Sequence, residues 1–143
     1  MKTYFVGLAL VLLFASEGRA EDYRQYLPSI EESRAYQQYS LRPKVELSKL
    51  IYLLDRFRES KLEVIFDGNP YPPEKAADHA KVYLSKHYHR EEAKRWIKLH
   101  VHRSITKNEV IYARFPTGKK KPAKDILLKE LEFLDDFDKA PQA

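Results

Sequence analysis

Residues 43–80 read PKVELSKLIYLLDRFRESKLEVIFDGNPYPPEKAADHA, and the period of their apolar positions changes twice. After Pro43, the residues Val45, Leu47, Leu50, Ile51, Leu54 and Phe57 fall on one stripe at helical spacing. Lys44, Lys49, Asp55 and Arg56 lie mostly opposite, which predicts a helix with one buried face. Full burial of each large side chain is worth about 1.5–3 kcal/mol, so this stripe should anchor the core. Beyond Ser60 the period becomes two: Leu62, Val64 and Phe66 alternate with Glu63, Ile65 and Asp67, as in a short strand. Asp67-Gly68 suits a tight turn whose residues need positive φ, and the chain doubles back through Asn69-Pro70-Tyr71. Pro72 and Pro73 cannot continue a ladder but fit the first turn of a helix, and Ala76, Ala80, Tyr83 and Leu84 supply a second stripe.

Working outward, His87-Tyr88-His89 interrupts that stripe, and a third helix is expected from about Arg90 to His102. It would place Ala93, Trp96, Ile97, His100 and Val101 on one side. Asn108–Phe115 (NEVIYARF) is dense in β-formers and is expected as a strand, closed by Pro116-Thr117-Gly118. Lys119-Lys120-Lys121 reads as a loop, and Leu127, Leu128, Leu131, Leu134 and Phe137 mark a last helix from Lys124 to Phe137. Residues 21–42 are rich in Tyr, Gln and charge and read as an irregular or weakly helical arm with Leu27, Ile30 and Leu41 as anchors. Residues 138–143 read as a frayed tail. The expectation is a single α+β domain over 43–137, with about four helices, a short β-hairpin and one further strand.

The chain opens with Lys2, the apolar run Tyr4–Ala15 and then Gly18-Arg19-Ala20. Charged, apolar and small residues in that order read as a secretory leader over 1–20, cut after Ala20. The apolar run falls short of the ~20 residues a membrane-spanning helix needs, so no transmembrane segment is expected in the mature chain. The expected compartment is the periplasm, or the exterior after secretion. With no cysteine, the domain has to hold together by packing, and thiol nucleophiles and thiol redox chemistry are excluded.

Of 26 basic and 21 acidic residues, the leader takes two and one, which leaves 24 against 20 in the mature part. The charge is unevenly spread: Lys86–Lys124 holds twelve basic and three acidic residues, whereas Asp125–Ala143 holds two and six. A solvated surface whose halves neutralise each other explains such blocks, and so does a positive face for an acidic partner. Lys94 and Lys98 share a helix face away from Trp96, and with Lys119, Lys120 and Lys121 they form the candidate basic patch.

Several local patterns, namely LIYLLDRFRES, VIFDGNPY, EKAADHAK, RWIKLHVHRS, VIYARF and LLKELEFL, occur in this order from Lys44 onward. Together they resemble the YfeK-like family of small exported bacterial proteins, classed as a domain of unknown function. Ala76, Ala77 and His79 match that family's Ala-rich helix with its His. Phe66-Asp67 stands where the family pattern has Arg-Asn, and the cysteine many members carry is missing. The resemblance implies a fold and an exported location, and no activity.

The chemistry is sparse. All five histidines fall between positions 79 and 102, yet no HExxH pattern or carboxylate at ligand spacing accompanies them, and no metal site or cofactor is assigned. His100 and His102 on one helix would diverge by about 200°. Four glycines offer no phosphate-cradling loop. Trp96 fits the core stripe of its helix better than a base-stacking platform, and an exported protein rarely meets nucleic acid, so none is expected as partner. No catalytic residue is assigned. The reading favours a non-enzymatic periplasmic binding module for an acidic protein or an anionic envelope surface. The alternative is an envelope hydrolase or other enzyme with a site around His79, Tyr71 and Asp67, which requires those groups to converge in a concave pocket. His79 itself reads first as a structural hydrogen-bonding residue.

Overall fold

The structure, a computed structural model, describes residues 22–140. The leader expected at 1–20, with its cut after Ala20, lies outside the described residues, as do positions 141–143. Five α-helices and four strands follow a single turn of 3-10 helix at Tyr23–Tyr26: α1 Arg34–Ser40, α2 Glu46–Arg58, β1 Glu63–Phe66, β2 Asn69–Tyr71, α3 Pro73–His87, α4 Ala93–His100, β3 Tyr112–Arg114, β4 Lys120–Pro122 and α5 Ala123–Lys139. The α+β class expected from the sequence is the one observed. The finer count differs by one helix and one strand.

All four strands are antiparallel, in the order β2-β1-β3-β4. Phe66 pairs with Asn69 across the two-residue turn Asp67-Gly68, whose φ values of 52° and 81° are those the hairpin needs. Gly118, at φ 94°, closes the second hairpin with its N–H donating to the Phe115 carbonyl. Because side chains alternate, the register puts Val64, Phe66, Tyr71 and Ala113 on one face and Glu63, Ile65, Tyr112 and Arg114 on the other.

Helix α2 is the axis of the domain and packs against α1, α3, α4 and α5. Leu50, Tyr52, Leu53, Leu54 and Phe57 are buried, and so are Asp55 and Arg56. The periodicity predicted one buried face; the structure corrects this, because neighbours close in on the polar side as well. Asp55 meets Lys81 of α3 at 2.5 Å and Arg42 at 3.7 Å, so charge is balanced across the helix interface. Glu46 accepts a hydrogen bond from the Ala93 N–H at 3.0 Å, which supplies the start of α4 with the acceptor its own cap lacks.

Five further expectations are corrected. The arm at 21–42 belongs to the domain: Ser33 caps α1, and Tyr23, Ala35 and Tyr39 join the core, while the expected anchor Leu41 is 83 % exposed. The tail at Asp138 is tied down, because Tyr39 donates to its carboxylate at 2.9 Å. Lys120 and Lys121 are not a loop but part of the edge strand β4, where charge and a closing proline guard an open edge. The third helix ends at His100, so His102 lies beyond it. The first half of Asn108–Phe115 is spent on a tight return instead of a strand: Asn108 has φ 54°, Ser104 N–H donates to the Glu109 carbonyl, and Arg103 bridges to Val110.

Candidate functional site

Between α3 and the segment 101–111 lies an open cleft of about 370 Å³. Its walls come from most of the chain. The inner face of the first hairpin supplies Val64, Phe66 and Tyr71, and α3 supplies Ala76, Ala77, His79, Ala80 and Tyr83. Leu54, Phe57 and Leu127 reach it from α2 and α5, and Trp96 and His100 from α4. The three alanines make the space, since any larger residue on that side of α3 would occupy it. Ile105, 77 % exposed, and the exposed His79 and Arg103 stand at the mouth.

The rim is held by one carboxylate. Asp67 accepts from the hydroxyls of Ser104 and Thr106, which fastens the β1–β2 turn to the return segment. Ser104 is itself buried, and its Oγ accepts the N–H groups of Lys107 and Glu109 at 3.3 Å. The two hydroxyls lower the pKa of Asp67 from its ordinary value of 3.8. A depressed carboxylate stabilises the fold above its unfolded pKa, and that contribution is lost as pH falls below about 3.8. Asp67→Ala should therefore remove this acid-side dependence. It should also speed hydrogen exchange of the Lys107 and Glu109 amides by roughly three- to tenfold, the equivalent of one net hydrogen bond. Unchanged exchange at both amides would show that the rim is held by other contacts.

At the inner end, aromatic rings gather around Tyr83. His87 stacks on it at 4.1 Å between centroids, and its hydroxyl bonds His100 Nδ1 at 2.9 Å. Trp96 lies 4.9 Å from the His100 ring and donates Nε1–H to the His87 carbonyl at 3.3 Å. Burial pushes the His100 pKa below 6.5; Glu91 works against the shift, while His87 and His89 add to it. Burial likewise pushes the Tyr83 hydroxyl up.

Of the residues singled out in the sequence, Tyr71 and His79 come together in this cleft with ring centroids 6.1 Å apart. Asp67 stands at its rim with both carboxylate oxygens committed to Ser104 and Thr106. Among the described residues no carboxylate hydrogen-bonds His79, and no three His, Asp or Glu side chains converge as metal ligands. The lysines of the candidate patch sit on two parts of the fold. Lys94 and Lys98 are exposed on α4, whereas the pleat of β4 sends Lys120 over the Tyr112 ring at 6.0 Å and Lys121 over the Tyr23 ring at 5.6 Å. Lys119 is in the hairpin turn before them.

Sequence reasoning missed Tyr83, Trp96, His100 and the alanines of α3 as walls of one cavity. The available signal was the weak stripe of α3, where Ala replaces the large residues a core-facing helix usually carries. No family model, curated protein or solved structure matches the chain. Among the described residues, no helix is long and apolar enough to cross a membrane.

Proposed function

We propose that this chain is an exported, non-enzymatic binding module that holds a small, largely apolar molecule in the cleft between α3 and segment 101–111. The observation that carries this reading is the cleft itself: about 370 Å³, walled mostly by alkyl and aromatic side chains, with His79, Tyr71, His100, Arg103, Ser104 and Thr106 among its polar groups. That volume and that ratio of apolar wall to polar handle are those of small-molecule sites in general. The leader read at 1–20 and the resemblance to the YfeK-like family are in keeping with an envelope location. The hydrolase reading has less support, since Asp67 is occupied at the rim and cannot orient His79 for proton transfer. The basic-segment reading has less support too, because two of its lysines rest over rings on opposite faces of β4.

The test is a titration of the mature protein with N-phenyl-1-naphthylamine, an uncharged apolar fluorophore, at pH 7.5. Saturable one-to-one binding is expected. Ala80→Phe, which fills the space beside α3, should weaken it by about tenfold or more, whereas Ala80→Ser keeps the space and should leave it within about twofold. Absence of saturable binding, or equal binding by a folded Ala80→Phe protein, would sink the reading.

A further inference from the structure

The cleft's inner wall contains a titratable ring whose surroundings respond to an occupant. His100 lines the cleft, is half-buried, and is fixed by three aromatic neighbours: the Tyr83 hydroxyl at 2.9 Å from Nδ1, the Trp96 ring at 4.9 Å and the His87 ring at 6.3 Å. An apolar molecule seated against that wall displaces the remaining water from the imidazole. Loss of water penalises the charged form of a histidine and leaves the neutral form almost unaffected. Binding and protonation at one wall are then reciprocal: what disfavours the proton when the ligand is bound must disfavour the ligand when the proton is bound.

Resting on the cleft reading above, we infer that the cleft takes its apolar ligand at neutral pH and releases it on mild acidification, through protonation of His100. The groups facing His100 act on its proton in both directions. From α3 His87, with its ring 6.3 Å away, and from the α3–α4 connection His89 oppose protonation of His100, while Glu91 favours it. Arg103 lines the same cleft from the far segment and stands exposed at its mouth. Burial already holds the His100 pKa below 6.5, so the neutral ring prevails in the free protein near neutrality. The device acts on the next step down, where a ligand-free ring accepts a proton and a ligand-covered ring resists it.

The size of the effect follows from the pKa difference between free and bound protein, tenfold in affinity for each unit. For a half-buried ring covered by an apolar ligand we expect the affinity for N-phenyl-1-naphthylamine to fall about three- to tenfold between pH 7.5 and pH 5.0, with circular dichroism confirming the fold at both. The probe is uncharged throughout, so its own titration does not enter. His100→Gln keeps a side chain that can bond the Tyr83 hydroxyl, and whatever its affinity at pH 7.5, the ratio of its affinities at pH 7.5 and pH 5.0 should fall to near one. A flat profile in the wild type, or a fall that persists in His100→Gln, overturns the inference and leaves the binding module standing. No binding at pH 7.5 overturns both. Should His100→Gln fail to fold, NMR titration of the wild type decides the matter: the histidine ring with contacts to the Trp96 indole should titrate lower in the saturated protein, and an equal or higher pKa overturns the inference.

Discussion

Glu130→Ala is expected to cost about 3–5 kcal/mol of stability, a large part of the ~5–15 kcal/mol that holds a domain of this size together. Glu130 is 2 % exposed and Arg56 is 3 % exposed, so neither charge can be repaired by solvent. The guanidinium grips one carboxylate oxygen through Nε at 3.0 Å and through its second nitrogen at 2.9 Å, and its third nitrogen donates to the Pro28 carbonyl at 2.6 Å. Tyr23 donates to the other oxygen at 2.9 Å, and burial, followed by the charge of Glu130, pushes the Tyr23 hydroxyl well above its ordinary pKa. Removing the carboxylate leaves a buried guanidinium and a buried phenol without their shared acceptor. Because Tyr23 and Pro28 are the arm's attachment points, residues 22–33 should loosen together with the loss. Urea unfolding monitored by circular dichroism gives the magnitude. The double variant Arg56→Met/Glu130→Leu supplies the control, since it removes both charges and should recover most of the loss. A loss below about 1 kcal/mol in Glu130→Ala would mean that water reaches the pair.

This network shows where sequence reading stops. The stripe through Leu50, Leu54 and Phe57 and the change of period at Ser60 located α2 and β1, because each depends only on neighbours a few positions away. The Asp67-Gly68 turn was legible for the same reason. That Arg56 is buried depends on Glu130, 74 positions later, and no local pattern carries that information. Strand β4 was illegible because a lysine run ending in proline is also what a solvent loop looks like; only the partner strand Tyr112–Arg114 makes it an edge. The cleft suffered most, since its walls come from six helices and strands and from the segment after His100. Tyr71 and His79 could be paired in advance because a tight turn and the first turns of α3 fix their separation. Trp96 and Tyr83 were each read correctly as stripe residues, but their joint role as one wall needs the crossing of α3 and α4.

Trp96→Ala should be nearly as damaging as the loss of Glu130, at about 3–5 kcal/mol, and it should also change the cleft. The side chain is 2 % exposed and belongs both to the core and to the cleft wall. Its ring abuts His100 at 4.9 Å and Tyr83 at 6.0 Å, and its Nε1–H satisfies the His87 carbonyl near the end of α3. Truncation thus removes packing, one hydrogen bond and the backing against which His100 stands. Trp96→Phe separates these contributions: it keeps an aromatic wall and drops the N–H, so about 0.5–1.5 kcal/mol is expected from the hydrogen bond, with a further cost for the smaller ring. Ile97→Ala, one residue along and also fully buried, should cost about 2–5 kcal/mol while leaving the cleft wall in place. Binding of N-phenyl-1-naphthylamine should therefore fall in Trp96→Ala and survive in a folded Ile97→Ala. The chain has a single tryptophan, so its emission comes from this wall alone, and an occupant of the cleft should change it in proportion to binding. If the probe saturates the protein without altering that emission, it is bound elsewhere, and the wall formed by Trp96, Tyr83 and His100 is core packing with no ligand against it.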